Sequence, residues 1–379
     1  MQKKKLFGIA VAFLLAPAIV FASGRKEAAA EAPQSGAVVW TPFTVTDMGG
    51  RKVTIEKPVK KAYAINLIGI IYIRCIDISL IGGWTNPLSA AEKKYIPPEL
   101  HNLPMLGGWS GANPNVNIEE LINADIDLIL VTAAAVNIGP NQIRMADNIQ
   151  SQTGITTLIV SNNLSDTGDA FRLVGKVLGN PERGEMLGKY CDEELTKMKT
   201  LIQTIPESER PRIYYAEGTW GLETDPSGSS HTQAFDFVRA INVADVTENT
   251  ANGMVGQSAV SLEQIIAWNP DFIIRNTTYT DADPALAVTG ITNNRDWAGI
   301  SAVQKKQVYQ TPALPHNWID RAPSSNRILG VKWLLNLFYP SYTAFDIRKE
   351  AKDFFHLFYQ IDLGEPDLDF ILAASKPVS

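Results

Sequence analysis

The residue types that most often perform catalysis occur in this chain without the spacing that catalysis needs. A serine–histidine pair stands in Gly228–His231, but triad members come from separate loops, and neighbours in sequence seldom reach triad geometry. The chain also lacks a G-x-S-x-G elbow, a phosphate-binding P-loop and an H-E-x-x-H zinc motif. We therefore predict no catalytic residues, and the simplest interpretation of His231 is a solvent-facing position in the first turn of a helix.

Histidine spacing argues against a site for a bare metal ion. The four histidines are His101, His231, His316 and His356, and no two of them are separated by four residues, a common ligand spacing. A site for free zinc or manganese would need nearly all of them together with a carboxylate. We predict no resident metal, and a receptor for free metal remains an alternative.

Tryptophans in loops indicate another kind of chemistry, the stacking of a ligand on an aromatic ring. Trp109 lies in the glycine-rich loop Gly107–Asn113, and Trp220 lies in Glu217–Leu222, directly after a predicted strand. Trp318 occupies an equivalent position after a later strand. Each ring has two interpretations, because it either stacks on a ligand or fills its own loop against the sheet.

Arg321 is the cation that accompanies these aromatic loops. It precedes Ala322 and Pro323 at a predicted helix start, where the helix dipole disfavours a positive charge. This local mismatch favours contact with a ligand. The alternative is a salt bridge to Asp320 or another nearby acid.

Apolar runs separated by helical patterns indicate the elements that must position these residues. After a predicted hairpin over Phe43–Ile55, runs without polar alternation predict parallel sheets covered on both faces. The predicted strands are Ala62–Ile65, Asp127–Val131, Thr156–Val160, Arg212–Ala216, Asp271–Ile274 and Gln307–Gln310. Helices are predicted over Leu67–Leu80, Asp166–Leu178, Pro181–Gln203 and His231–Ala240, with three more over Ser324–Ala374.

Two segments of the chain resemble each other at a constant offset. Val116–Leu130 and Val260–Ile274 each predict a short capped helix, a turn and a buried strand, and Glu119 corresponds to Glu263. Both glutamates fall in the first turn of a helix, which favours an acidic side chain for local reasons. They also suit the role of acidic contacts for a partner, one on each half. The repeat predicts two similar α/β lobes with a ligand cleft between them at the carboxyl ends of the strands.

The N-terminus predicts export. Three lysines, an apolar run to Phe21 and small residues ending at Ala22 are typical of a cleaved secretory signal. Removing residues 1–22 takes away three lysines and no acid, which changes the formal charge from −6 to −9 and argues against a nucleic-acid partner. Cys75 and Cys191 are predicted to be buried free thiols, although sequence alone leaves their pairing open.

The order of these motifs resembles the periplasmic binding proteins of ABC importers for ferric siderophores, haem and cobalamin. The resemblance runs from Phe43 to the C-terminus, and its most specific parts are the two glutamate-containing segments and Trp318–Gly330. It implies two Rossmann-like lobes joined by one rigid helix, with little closure on the ligand. The corresponding boundaries are 1–22 for the signal, 23–42 for a disordered tether, 43–180 and 206–379 for the lobes, and 181–205 for the helix.

The resemblance also implies roles for individual residues. Glu119 and Glu263 correspond to the glutamates that meet arginines of the permease dimer, which works with a separate ATPase. The ligand-binding positions that it implies, matched by loop and strand, are Arg321, Trp318, Trp220, His231, Trp109 and Tyr215. The expected ligand is a metal chelate such as a ferric siderophore, with haem, cobalamin or a nickel chelate as alternatives, and a periplasmic enzyme as a weaker one. We expect a monomer in the periplasm without a cofactor of its own.

Overall fold

Two parallel sheets form the framework of the molecule, as the apolar runs predict. The computed structural model describes residues 40–109, 115–132, 138–247, 257–276, 289–373 and 375. The predicted signal, most of the tether, part of the loop Gly107–Asn113 and Ala374 lie outside the described residues. No helix in the described ranges is both long and apolar enough to cross a bilayer.

The first sheet has the order β3-β4-β5, with the predicted hairpin beside it. Its strands are β3 (Ala62–Ala64), β4 (Leu128–Thr132) and β5 (Thr156–Val160), and the antiparallel hairpin consists of β1 (Phe43–Thr46) and β2 (Lys52–Ile55). The accompanying helices are α1 (Leu67–Asp77), α2 (Ile118–Asn123), α3 (Pro140–Thr153) and α4 (Thr167–Val177). Every residue of β4 is buried, which explains its uninterrupted apolar sequence.

The second sheet is also parallel, with the order β11-β10-β6-β8. It contains β6 (Arg212–Ala216), β8 (Ile241–Asn242), β10 (Phe272–Arg275) and β11 (Val308–Gln310), and a small antiparallel pair, β7 (Glu223–Thr224) and β9 (Ser258–Ala259), lies nearby. Its helices include α6 (Gln233–Phe237), α7 (Leu262–Trp268) and α8 (Ser301–Gln304). Tyr214 and Tyr215 pack into different apolar clusters because successive strand residues face opposite sides of the sheet.

Helix α5 (Pro181–Gln203) connects the two halves and has the bounds that its sequence predicts. The side chain of Asn180 caps it by accepting a hydrogen bond from the backbone nitrogen of Arg183 at 3.2 Å. The helix lies close against α4, because a Cβ atom on Gly175 would come within 2.6 Å of the Cα atom of Gly184.

The C-terminal tail forms the three predicted helices, α9 (Arg327–Phe338), α10 (Ile347–Tyr359) and α11 (Glu365–Ala373). Helix α10 packs back onto the first half, where the ring of Phe358 lies 5.5 Å from that of Phe171. The tail therefore joins the two halves in addition to α5, and residues 40–379 form one compact unit. The lobe boundaries at 180 and 206 stay a prediction.

The sequence repeat corresponds to a structural one. Helix α2 leads into β4 and helix α7 leads into β10, and both helices bury only the fourth of their first six residues. The backbone nitrogen of Asp127 donates to the oxygen of Lys61 at 2.8 Å, and that of Asp271 donates to the oxygen of Arg212 at 2.8 Å. Lys61 directly precedes β3 and Arg212 is the first residue of β6, so each acceptor lies at the start of the neighbouring strand and the two units have similar local topology.

The cysteines lie where the sequence places them. Cys75 and Cys191 are buried and free, and burial raises the pKa of the Cys75 thiol to about 12. Both thiols are therefore unreactive at neutral pH.

Candidate functional site

Polar side chains collect at one edge of the second sheet, where its parallel strands end. Glu217 follows β6, Asn276 follows β10 and Thr311 follows β11. The amide of Asn276 donates to Glu217 Oε1 at 3.3 Å, and the amide of Asn317 donates to Asn276 Oδ1 at 2.8 Å and to Thr311 Oγ1 at 3.0 Å. Carboxyl edges of parallel sheets are the usual place for ligands, so this edge is the candidate site.

Arg321 lies at the centre of this edge among three buried carboxylates. Its Nε atom lies 3.0 Å from Glu217 Oε1 and 3.4 Å from Asp320 Oδ2, and its Nη2 atom donates to Asp225 Oδ2 at 2.7 Å. The carboxylates are fully buried, whereas 23% of the Arg321 side chain is exposed. The three carboxylates thus hold the guanidinium in place, while part of the Arg321 side chain remains exposed.

Two sequence interpretations of Arg321 have different outcomes. The salt bridge to Asp320 is confirmed, with Glu217 and Asp225 as further partners. The argument from the helix dipole is wrong, because α9 begins at Arg327, six residues later. Arg321 lies in a loop with φ of 52°, a backbone conformation that non-glycine residues seldom adopt.

His231 and Tyr215 surround the carboxylate of Asp320. His231 Nδ1 lies 2.7 Å from Asp320 Oδ1, and its Nε2 atom lies 3.3 Å from Arg321 Nη1. A proton on Nδ1 donated to Asp320 leaves Nε2 free to accept from the guanidinium. The Tyr215 hydroxyl donates to Asp320 Oδ2 at 3.2 Å.

Both of these residues are buried. His231 is buried, with 7% exposure, and precedes α6, which spans Gln233–Phe237 instead of the predicted His231–Ala240. Its interpretation as a solvent-facing residue of a first helical turn is therefore wrong. Tyr215 is fully buried and orients Asp320 through its hydroxyl, and its place among the ligand-binding residues stays a prediction.

The buried ionisable groups of this cluster shift one another's pKa values. Burial raises the pKa of Glu217 well above its usual value despite the attraction of Arg321, which favours a neutral carboxyl group. Burial also acts to raise the pKa of Asp320, but His231 and Arg321 outweigh it and lower that pKa. Burial acts to lower the pKa of His231, yet the partner Asp320 raises it. Arg321 therefore lies beside an Asp320 side chain that favours the ionised form and a histidine that gains a proton readily.

Three of these residues have the chemistry of metal ligands. Asp225, His231 and Asp320 bring one ligand atom each within 4.8 Å of one another. The guanidinium of Arg321 contacts all three, so a positive charge from the chain already lies between them. In this arrangement Asp225, His231 and Asp320 bind the guanidinium and hold Arg321 in place.

The loop after β6 presents an exposed aromatic ring. Trp220 is 78% exposed, and its loop is held by Arg275, whose Nη1 donates to the oxygen of Ala216 at 3.1 Å and whose Nη2 donates to that of Thr219 at 3.3 Å. Gly221 has φ of 73°, a conformation that favours glycine. Stacking of a ligand on Trp220 stays a prediction.

Trp318 lies in the core. Its side chain is fully buried, and its indole nitrogen donates to the oxygen of Leu314 at 3.3 Å. The ring has no exposed face, so contact of Trp318 with a ligand has no support here and stays a prediction. The other interpretation, a ring that fills its own loop, applies here.

Trp109 lies on the first half of the molecule. Its backbone nitrogen donates to the oxygen of Ile65 at 2.9 Å, just beyond the carboxyl end of β3. The half-buried ring lines a depression of about 330 Å³ together with one face of α3, including Arg144 and Met145. Its contact with a ligand stays a prediction.

Two acids of the site, Glu217 and Asp225, are absent from the residues that sequence reasoning selected. Glu217 directly follows a buried strand, and this position could have marked it. Asp225 has no comparable signal, since it lies in a loop 96 residues from the guanidinium that it binds.

The two matched glutamates lie at the starts of their helices. Glu119 and Glu263 are exposed at the second position of α2 and α7. The side chain of Asn117 accepts from the backbone nitrogen of Glu119 at 3.0 Å, and Ser261 forms a capping box with Gln264. The predicted caps therefore form, and they explain part of the preference for acids here.

Both helices begin beside the carboxyl edge of their sheets. The segment before α2 returns to Gly108, whose oxygen accepts from the backbone nitrogen of Asn115 at 3.0 Å, next to Trp109. In the segment before α7, the backbone nitrogen of Val260 donates to the oxygen of Leu222 at 2.9 Å, in the loop region that follows β6. Each glutamate is thus carried by the edge of the sheet where a ligand site is expected.

Known proteins share this architecture along most of the chain. The molybdate-binding protein MolA of Haemophilus influenzae is 26% identical over 338 residues, which cover 83% of this chain and 90% of MolA. An ABC transporter solute binding protein from Sulfurospirillum deleyianum is 28% identical, with a TM-score of 0.77 over 87% of this chain and 99% of its own. Helicobacter pylori CeuE in complex with nickel and histidine has a TM-score of 0.61 at 16% identity, over 87% of this chain and 99% of CeuE, which shows a common fold.

The family assignment rests on a longer match than any single motif. The periplasmic binding protein profile matches residues 80–314, more than half of the chain. Its members are transport components without catalytic activity, which agrees with the prediction from the residues alone. This protein belongs to the periplasmic binding protein family and is the substrate-binding component of an ABC importer, with a small-molecule ligand and a membrane permease as its partners.

Proposed function

We propose that this protein captures a metal chelate, in the first place a ferric siderophore, and delivers it to the permease. The observation that carries the proposal is the partly exposed side chain of Arg321, whose guanidinium is held by three buried carboxyl groups. Arg321 would bind an oxygen of the chelate, and the exposed ring of Trp220 would cover part of its apolar surface. Haem, cobalamin and nickel chelates belong to the same ligand class.

Charge supports a chelate over a small bare anion. Arg321 shares its Nε and Nη2 atoms with Glu217 and Asp225, so the described residues around it offer little net positive charge to a ligand. A chelate spreads its charge over many atoms and offers apolar surface, which suits a nearly neutral site beside an aromatic ring.

Molybdate is the second candidate, and the similarity to MolA favours it. A compact dianion needs several donors directed at one point. The binding of molybdate by this chain would therefore require donors in addition to Arg321.

A titration with a panel of ligands tests the proposal. The mature protein would be titrated with ferric hydroxamate, catecholate and citrate complexes, haem, cobalamin, nickel–histidine and molybdate. We expect one metal chelate to bind and to quench tryptophan fluorescence, and the variant Trp220→Phe to lose most of the quenching. Binding of molybdate alone would refute the chelate assignment, and binding of no ligand would refute the receptor role of this site.

We also propose that Glu119 and Glu263 dock on basic residues of the permease dimer, whose ATPase drives transport. Their support is their exposure and their matched positions on the two halves. We propose in addition that the mature protein is a monomer and that it is formed when the signal is cleaved off after Ala22. The double variant Glu119→Arg and Glu263→Arg should abolish uptake and leave ligand affinity intact, and a loss of affinity would contradict the docking role.

A further inference from the structure

The two docking helices expose a second pair of matched residues, and these are apolar. Ile122 on α2 is 48% exposed and Ile266 on α7 is 45% exposed. The offset of Ile266 from Ile122 equals that of Glu263 from Glu119. Large apolar side chains with this much exposure are few among the described residues, and this pair falls on equivalent positions of the repeat.

Each isoleucine lies on the same helical face as its glutamate. Residues three apart are neighbours on a helix surface, so Glu119 lies beside Ile122 and Glu263 lies beside Ile266. The preceding residues, Leu121 and Ile265, are fully buried and account for the packing of each helix. The isoleucines are about half exposed and belong to neither apolar core cluster, so core packing does not explain their apolar character.

A single exposed isoleucine is ordinary on a protein surface. The same exposed residue at the same position of both structural repeats, next to the same exposed acid, points to a common function. We infer that Ile122 and Ile266 are paired apolar contacts for the permease dimer, so that each half of the protein presents one acid and one apolar side chain. This inference rests on the proposed docking role of the glutamates.

The partner must carry two copies of a complementary site, basic beside apolar. A permease built from two subunits presents such a pair, one for each half of the binding protein. A second copy of this chain fits poorly, because the helix faces carry Glu119, Glu120 and Glu263 and would bring like charges together. Next to α2, Met105 is 42% exposed and lines a depression of about 500 Å³ with Glu120, which extends the apolar surface on that side.

Binding to the permease tests the inference. The importer's permease–ATPase complex would be reconstituted in nanodiscs, and the affinity of the binding protein would be measured at low and high salt. Ile122→Ser and Ile266→Ser should each weaken binding about tenfold, because burial of an isoleucine contributes about that factor or more to an equilibrium. Their defect should persist at high salt, whereas that of Glu119→Gln and Glu263→Gln should shrink in relative terms as salt screens the ion pairs.

Ile241→Ser is the matched control, because Ile241 is also exposed, at 37%, but lies on β8 outside the docking helices. It should bind like the wild type, and all variants should keep the ligand affinity and melting temperature of the wild type. Wild-type binding by the isoleucine variants, together with weak binding by the glutamate variants, overturns the inference and leaves the proposed docking role intact. Wild-type binding by the glutamate variants overturns both this inference and the proposed docking role. A dimer in solution that Ile122→Ser or Ile266→Ser dissociates also overturns it, since the patches would then join copies of this chain.

Discussion

The neighbours of Arg321 set what this side chain offers to a ligand. Asp225 and Asp320 approach its nitrogens at 2.7 and 3.4 Å and offset its charge, while His231 lies against its third nitrogen. These contacts fix the position of the guanidinium, and they also weaken its attraction for anions. Affinity for a charged ligand should therefore respond to the acids as strongly as to the arginine.

The variant Asp225→Asn tests this balance. It keeps the size of the side chain and removes one negative charge beside Arg321, so a negatively charged chelate should bind about tenfold more tightly. Calorimetric titration with a charged and a neutral chelate measures the effect, which should be confined to the charged one. Asp236→Asn is the control, because Asp236 accepts from Gly228 and Thr232 and makes no contact with Arg321. Equal affinities of wild type and Asp225→Asn for a charged chelate would contradict a role of Arg321 in binding.

Two buried histidines should give the stability of the protein opposite responses to pH. Asp320 raises the pKa of His231, against the effect of burial, so this pair stabilises the fold below about pH 6.5 and loses that contribution as the pH rises through the folded pKa. Burial and then Arg74 lower the pKa of His316 well below its usual value. His316 therefore favours the fold above about pH 6.5 and destabilises it progressively as the pH falls.

Urea unfolding between pH 5 and pH 8 measures these contributions. Relative to wild type, His231→Asn should lose the most stability at pH 5, and the deficit should narrow towards pH 8. The stability of His316→Gln should rise relative to that of the wild type as the pH falls, because no buried imidazole remains to be protonated. Parallel pH profiles for the two variants and the wild type would contradict these opposite shifts.

At the scale of elements, the loop that carries Arg321 is positioned by its contact with helix α9. A Cβ atom on Gly330 would lie 2.0 Å from the backbone oxygen of Trp318, so the loop and the helix approach each other as closely as a glycine allows. The backbone nitrogen of Trp318 also donates to the oxygen of Pro312 at 3.0 Å. Packing of the buried Trp318 ring and of Gly330 therefore fixes the position of the loop from which the Arg321 side chain extends.

Gly330→Ala should therefore disturb both stability and binding. The clash is with backbone atoms, which cannot rotate away, so the free energy of unfolding should fall by about 1–3 kcal/mol. The shift of the loop should also weaken chelate binding, measured by calorimetry on the folded variant. Gly364→Ala is a control, since a Cβ atom there would meet its neighbours at an ordinary 3.5 Å. Unchanged affinity in a destabilised Gly330→Ala would contradict the role of this contact in placing Arg321.

Sequence reasoning succeeded where local rules decide the structure. The strands β5 and β6 and the helix α5 have their predicted bounds, because apolar runs and the Asn180–Pro181 cap are local signals. It failed where distant contacts decide. The burial of Trp318 depends on a glycine twelve positions later, and the carboxylates of Glu217 and Asp225 lie 104 and 96 residues from Arg321.

At the scale of the whole molecule, several connections hold the two halves together. Helix α5 joins them along the chain, and the aromatic face of α10 packs onto the first half. On α6, Gln233 Oε1 accepts from the backbone nitrogen of Leu164 at 2.8 Å and from Arg327 Nη1 at 3.0 Å. Its amide nitrogen donates to Asn163 Oδ1 at 3.0 Å. Together these contacts favour a rigid pair of lobes, as the resemblance implies.

Distances between spin labels on the two halves test this rigidity. Labels at Asn148→Cys and Lys305→Cys would occupy exposed positions, and the buried thiols of Cys75 and Cys191 should not react. We expect ligand binding to move the labels by less than about 2 Å, the range of pre-organised proteins. Gln233→Ala removes the two hydrogen bonds to Leu164 and Asn163 between the halves, so it should broaden the distance distribution without unfolding either half. A ligand-induced change of hinge-closing size in the wild type would contradict rigidity, because α5 and α10 would then have to separate from surfaces against which they are closely packed.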